Sequence, residues 1–297
     1  MTDNMGVKEY KGLIGYDVVE GYRYICFVGR SLTICDKKLN LVCRFSDMKN
    51  YGWADFIDDN LLVACNTGST YKVYDIAQQK CLQTYTAHKR GYTSYEQPLL
   101  DREKRVVYNS CHTNTYDKEE FTVLDLDAGA FRYIDFSYQM VPGGARRLDK
   151  DKNFSCTCRE LVPEGEKRRG ITKILTLKDD RFEFREFQPP MYSHIDCYTE
   201  DFLVTSKSEL IWLDTEKRMQ LNLPEQHRGY LKTNAYAYLK ESRQLFLAYS
   251  ECVCGFDLAT NTCAFFYLEK YISDVKVIGN DLFIGTWEKT IVLPLEF

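Results

Sequence analysis

Apolar and polar positions in this chain come in short strand-length runs separated by polar turns. Tyr71 to Tyr85, YKVYDIAQQKCLQTY, sets the pattern: an apolar-rich run, an aspartate, a short polar turn and a second alternating run. Such a stretch predicts two antiparallel strands joined as a hairpin. Variants recur as LTICDKKLNLVCRF from Leu32, FTVLDLDAGAFRYIDF from Phe121, LIWLDTEKRMQLNL from Leu210 and CGFDLATNTCAFFYL from Cys254. Five aspartates, Asp36, Asp75, Asp125, Asp214 and Asp257, mark equivalent turns at separations of about 39, 50, 89 and 43 residues. The longest interval holds two repeats, and the hairpin it hides is ITKILTLKDDRFEFREF from Ile171, with Lys178 or Asp179 at the turn position. An aspartate at a strand end accepts N–H bonds from the turn that follows, so hairpin geometry explains the repetition.

Repeats of this length predict propeller blades, each a meander of four antiparallel strands. Successive blades are expected from Gly15 to Ser46, Trp53 to Ala87, Tyr92 to Phe136, Met140 to Phe187, His194 to Glu225 and Thr233 to Leu268. The last repeat, ISDVKVIGND, LFIGTWEK and TIVLPLEF, has three strands. The segment from Met5 to Leu13 precedes the first blade and is expected to supply the fourth, which joins the two ends of the chain and removes a free sheet edge. The expectation is an all-β, seven-bladed β-propeller forming one domain over residues 1–297, its ring closed by an N-terminal strand. Continuous apolar runs such as YICFVG fit inner strands covered on both faces. No segment of helical period is long enough to compete.

Composition narrows the function classes. A chain of 297 residues with 44% hydrophobic content can bury a large core. A net charge of -4 provides no basic field to gather nucleic acid or an anionic membrane surface. The N-terminal MTDNMGVKEYKG lacks an apolar export segment, and no apolar run is long enough to span a bilayer, so a cytoplasmic protein is expected. The 12 cysteines are scattered through strand-like runs such as LLVAC, as reduced core thiols would be.

The hairpin pattern, an apolar run ending in Asp, a few turn residues and another strand, resembles WD-repeat and quinoprotein-type β-propellers over nearly the whole chain. The Trp-Asp pair of WD repeats is absent: Cys35, Tyr74, Leu124, Leu213 and Phe256 precede the five aspartates, and Trp212 lies two positions before Asp214. The Gly-His that opens a WD blade is represented by Ala87-His88 and Gln226-His227. The resemblance implies a fold and no particular activity.

Candidate chemistry is sparse. No cofactor fingerprint, metal-binding helix, phosphate loop or nucleophile elbow is present, so no cofactor or metal is expected. Cys156 with Cys158, and Cys252 with Cys254, are two apart and face the same side of a strand, without the spacing of a zinc knuckle. Cys111 and His112 are adjacent, which in a strand points them to opposite faces. The better signal is repeat length. In the third and fourth repeats the excess falls between the second and third strands, in HTNTYDKEE from His112 and LVPEGEKRRG from Leu161. Meander geometry brings these loops to the same rim as the blade-to-blade links HKRGY and HRGY.

The expected function is a binding module, monomeric by itself, that takes a protein or peptide partner on that rim. Lys167, Arg168, Arg169, Lys89, Arg90 and Arg228 would meet carboxylates, with Tyr116 as an aromatic anchor and Tyr92 and Tyr230 beside it. The alternative is a lyase or hydrolase at the channel mouth, or a small-molecule sensor there, which requires charged side chains from different blades with perturbed ionisation.

Overall fold

The computed structural model describes residues 6–67, 69–87, 92–93, 98–113, 119–135, 140–164 and 167–295. Every regular element among them is a strand, and the strands form seven antiparallel sheets, the blades of a β-propeller. Sheet one pairs Asp17–Glu20, Tyr24–Val28, Leu32–Asp36 and Leu41–Phe45; sheet two pairs Tyr51–Phe56, Leu61–Asn66, Thr70–Asp75 and Lys80–Thr86. In sheet three Tyr92–Thr93 and Leu99–Asp101 both lie against Val106–Thr113, followed by Glu119–Asp125 and Ala130–Asp135. Sheet four pairs Met140–Leu148, Phe154–Glu164, Lys167–Lys178 and Arg181–Arg185; sheet five pairs Ile195–Tyr198, Phe202–Thr205, Glu209–Trp212 and Arg218–Gln220. Sheet six pairs Leu231–Leu239, Gln244–Tyr249, Cys252–Asp257 and Thr262–Leu268. Sheet seven pairs Ile272–Ile278, Asp281–Thr286 and Thr290–Pro294, and its fourth strand is the N-terminal Lys8–Tyr10, with Glu9 opposite Ile291.

The strands group into two compact units. One comprises Met1–Ala64, Val73–Leu82 and Leu221–Phe297; the other comprises Cys65–Lys72 and Gln83–Gln220. In the first, Cys26, Ile34, Phe45, Phe56, Leu62 and Tyr74 form an apolar layer between sheets one and two. Phe246, Val253, Val275, Ile284 and Ile291 do the same between sheets six and seven. Val18, Phe27, Cys35, Phe283 and Val292 join sheets seven and one. In the second unit Phe121, Phe154, Cys156 and Leu175 pack sheet three on sheet four, and Ile174, Ile195, Leu203 and Ile211 pack sheet four on sheet five. The described cysteines are free and mostly buried, and they serve these layers as small apolar residues.

The turn aspartates do what hairpin geometry asks of them. Asp36 Oδ1 accepts the N–H groups of Lys38 and Asn40 at 2.8 and 2.9 Å, and Asp75 Oδ1 takes that of Gln78 at 2.8 Å. Asp125 accepts from Asp127 and Ala128, and Asp257 from Ala259. In the Asp214 hairpin the acceptor is Thr215, whose Oγ1 lies 3.4 Å from the Lys217 nitrogen. A second series caps turns between first and second strands: Asp58, Asp101, Asp149 and Thr199 each accept two turn N–H groups.

The segment between Tyr10 and Asp17 binds sheet seven to sheet one. Thr290 Oγ1 donates to the Leu13 carbonyl at 2.6 Å, and the Ser273 hydroxyl lies within reach of both the Gly15 and Gly285 carbonyls. Lys289 bridges Glu9 at 2.7 Å and Glu269 at 2.9 Å. The backbones come so close that a Cβ at Gly285 would collide with the Gly15 carbonyl oxygen, a backbone atom with little room to yield. Gly285→Ala is therefore expected to cost about 1–3 kcal/mol in urea unfolding. Gly12→Ala, where a Cβ meets nothing within 4 Å, should stay within about 0.5 kcal/mol. Equal effects of the two would contradict this close packing.

Candidate functional site

In a four-stranded meander the links between sheets and the turns between second and third strands emerge at the same end. In sheets six and seven that end carries a cavity of about 560 Å3 lined by Tyr230, Lys232, Ser250, Glu251, Lys270, Tyr271, Ile272 and Trp287. Tyr230 closes the link from sheet five to sheet six. Lys270 and Tyr271 form the link from sheet six to sheet seven. Ser250-Glu251 and Trp287 stand in the two second-to-third-strand turns.

Each wall is fixed by local bonding. Thr286 Oγ1 accepts the N–H groups of Glu288 and Lys289 and donates to the Lys289 carbonyl at 2.8 Å, which holds the TWEK turn with Trp287 at its tip. Ser250 takes the Tyr230 N–H on its hydroxyl at 3.3 Å, gives its own N–H to the Tyr230 carbonyl at 2.9 Å, and accepts Ile272 N–H on its carbonyl at 3.2 Å. One residue thus ties both links to one turn. Gly229, at φ +86°, lets the chain pass beside Ser250 where a Cβ would collide with the serine hydroxyl. Cys252 Sγ donates to the Arg228 carbonyl at 3.2 Å.

Aromatic rings dominate the surface. Tyr230, Tyr271 and Trp287 are 67%, 57% and 60% exposed, so much of each residue's surface is in contact with solvent. Tyr271 and Trp287 are stacked with centroids 6.0 Å apart and planes 20° from parallel, and Tyr16 meets Trp287 edge-on at 6.3 Å. Lys232 Nζ lies 5.2 Å from the centre of the Tyr230 ring. Tyr271 adopts φ +59°, a left-handed conformation uncommon for a bulky side chain. Backbone strain of this kind concentrates where a side chain must be aimed. Among the described residues Lys232 and Lys270 have no ion-pair partner, so two cations and the single carboxylate of Glu251 face the cavity.

The expected site residues are dispersed. Tyr116, Lys89 and Arg90 lie outside the described residues. Lys167, Arg168 and Arg169 fall in a strand: Phe154–Glu164 and Lys167–Lys178 pair as far as Glu164 opposite Lys167. The extra length of the fourth repeat is therefore a long hairpin, whose ladder runs from Ser155 opposite Thr176 to Glu164 opposite Lys167. The Arg169 guanidinium sits 3.5 Å from the centre of the Tyr192 ring. Arg147 donates to the Thr199 carbonyl at 2.6 Å. Arg228 and Tyr230 are exposed on the link beside the cavity. His227, in the same link, packs edge-on against Tyr249 at 4.3 Å, and burial lowers its pKa.

Lys232, Lys270, Tyr271, Trp287 and Tyr16 were not singled out by sequence. Trp287 did leave a trace: a tryptophan in a TWEK turn has no strand neighbours to bury it. The dipeptide Lys270-Tyr271 occupies the same place between repeats as HKRGY and HRGY.

A second group of charges lies on the first strands of sheets one, two and seven. Asp274 Oδ2 accepts the Val18 N–H at 2.9 Å, and its Oδ1 lies 3.1 Å from Lys276 Nζ. The Asp17 carboxyl hydrogen-bonds Asp274 and feels Asp55. Burial, then the adjacent Asp274 charge, pushes the Asp17 carboxyl up to about 8. Lys276 is raised despite the burial that opposes its charge, because Asp274 and Asp17 face it. Among the described residues no group of three or more His, Cys, Asp or Glu side chains could hold a metal ion. No helix among them is long and apolar enough to cross a membrane.

Compared with known protein families and with curated protein sequences, the chain matches none.

The raised Asp17 carboxyl sets a pH dependence. Folding keeps a proton there that the unfolded chain releases near pH 3.8, so this stabilisation is complete below that pH and is lost as pH rises towards about 8. The native chain should lose stability across this window relative to Asp17→Asn, by at most about 1.4 kcal/mol per pH unit. Urea midpoints of the two proteins at pH 5, 6.5 and 8 check it; parallel pH profiles would show that Asp17 titrates normally.

Proposed function

We propose that this protein is a binding module and that the aromatic cavity of sheets six and seven is its recognition groove. The single observation that carries the reading is the stacked, exposed Tyr271–Trp287 pair in a cavity also lined by Lys232 and Lys270, which have no ion-pair partner among the described residues. Exposed rings offer apolar area at little entropic cost, and the lysines favour an acidic occupant. The partner is a protein segment that lays an apolar or aromatic side chain on the rings and sets a carboxylate beside it. Tyr230, anticipated as a contact, lines the groove, and Arg228 is exposed two residues before it. The long hairpin of sheet four, with Lys167, Arg168 and Arg169, is a separate surface that the same experiment can score. A cytoplasmic scaffold role fits a module of this kind.

The alternative, an enzyme or sensor of a small polar ligand, draws on Asp17, Asp274 and Lys276. Those groups already satisfy one another and the Val18 N–H. The groove, with open faces, carries the stronger reading.

The test is selection of a random peptide display library on the immobilised protein. Enriched peptides should share an acidic residue next to an aromatic or bulky apolar one. Trp287→Ala should weaken them by about 2 kcal/mol, roughly thirty-fold. Replacing Lys167, Arg168 and Arg169 with alanine should leave them unchanged. Tyr271→Gly separates recognition from folding: it removes the ring and relieves the left-handed backbone, so binding should fall while thermal stability is kept or raised. Peptides that bind the Trp287→Ala protein as well as the native one would overturn the assignment.

A further inference from the structure

A second cavity, of about 400 Å3, opens where sheet seven meets sheet one. It lies at the end of these sheets that carries the first-to-second and third-to-fourth strand turns, opposite the end that holds the groove. Its floor is apolar. Lys8 pairs with Val292 and Val292 with Phe283, so the three stand in one row across sheet seven and share its face. Val292 and Phe283 are buried against sheet one, and Tyr10 and Leu39 pack on the same apolar layer.

The rim is basic. Lys8 comes from the N-terminal strand, and Lys37 and Lys38 come from the turn between the third and fourth strands of sheet one. Asp36 sets that turn: its Oδ1 accepts the N–H groups of Lys38 and Asn40 at 2.8 and 2.9 Å, and its Oδ2 accepts the Asn40 side-chain amide at 2.9 Å. The carboxylate nearest the two lysines in sequence is thus engaged by the turn itself. Lys37 reaches Glu20 at 2.5 Å, while Lys8 and Lys38 have no ion-pair partner among the described residues. Against these three cations the described lining sets one carboxylate, that of Asp281. In a chain of net charge -4 this local excess runs against the composition.

We propose that this cavity binds a small organic phosphate, with the phosphate group among Lys8, Lys37 and Lys38 and the apolar part over Leu39, Phe283 and Val292. Ammonium groups gathered from two sheets repel one another, and a phosphate dianion set among them turns that repulsion into attraction. Lysine serves phosphate as a point charge with rotatable donors, so it needs no fixed fork geometry. The volume lies in the range of small-molecule sites, where an apolar wall and a few polar groups act together. Inorganic phosphate would leave the floor in water, and an uncharged ring would leave the lysines without a counter-charge.

The experiment titrates phenyl phosphate into the native full chain by calorimetry at low salt, where a Kd below about 1 mM is expected. Inorganic phosphate should bind several-fold more weakly, and added salt should weaken both. Replacing Lys8 and Lys38 together with glutamine should weaken phenyl phosphate at least about tenfold. Lys150 and Lys207 are exposed elsewhere, and the same replacement there, with the same change in net charge, should leave binding as it is. In the native chain, phenyl phosphate should slow acetylation of Lys8 and Lys38, read by mass spectrometry, and leave Lys150 and Lys207 unprotected; this measurement needs no variant to fold. No binding at about 10 mM phenyl phosphate, binding unchanged by the Lys8 and Lys38 replacements, or Lys8 and Lys38 left unprotected would each overturn the proposal. Inorganic phosphate binding as tightly as phenyl phosphate would overturn the role of the apolar floor. A pentapeptide centred on phosphotyrosine that bound far more tightly than phenyl phosphate would place the phosphate on a protein and overturn the small-molecule assignment.

Discussion

Sheet seven is built from both ends of the chain, and the antiparallel pairing of Lys8–Tyr10 with Thr290–Pro294 is the contact on which the first unit depends. Without it Thr290–Pro294 would be an open edge with unpaired backbone groups, a surface that invites association with other strands. The pairing also leads the chain from Tyr10 to Asp17 past sheet seven into sheet one, held by Thr290 on Leu13 and by the near contact of Gly285 with Gly15. That path delivers Tyr16 to the edge of Trp287. It also starts the strand that brings Asp17 to Asp274. Both polar features of this unit thus descend from one strand pairing.

The two features divide along a physical line. Asp274 and Lys276 are charges that have found each other, and beside them Asp17 holds a proton on folding that the unfolded chain releases. At the groove the opposite holds. Three aromatic rings remain more than half exposed, two lysines have no ion-pair partner among the described residues, and Tyr271 holds a left-handed backbone. A sequence under no demand but folding has no use for that arrangement, because each of these features costs stability or leaves apolar area in water. This unspent surface is what the proposed recognition groove rests on.

Much of the architecture was legible because it is written locally and repeated. Asp36, Asp75, Asp125 and Asp257 announce turns through bonds within four residues of themselves, and the last repeat, one strand short, pointed to the N-terminal segment. The seventh sheet followed from that count. The LVPEGEKRRG stretch was less readable, since Pro, Gly and charges suit a loop, yet the ladder runs on into it as far as Glu164 opposite Lys167. The groove was beyond local reading. Tyr230, Tyr271 and Trp287 come from three different connections, and only the meander's geometry gathers them. The partnership of Val18 and Asp274 spans 256 residues and leaves no mark on either neighbourhood.

The central claim, that the N-terminal strand completes sheet seven and so fixes the groove's frame, is tested most directly by amide hydrogen exchange of the intact native chain. The amides of Lys8–Tyr10 that face Thr290–Pro294 should exchange slowly and together with those of Thr290–Pro294, as one cooperative unit. Exchange of Lys8–Tyr10 at the rate of a free peptide, while Thr290–Pro294 stays protected, would contradict the account.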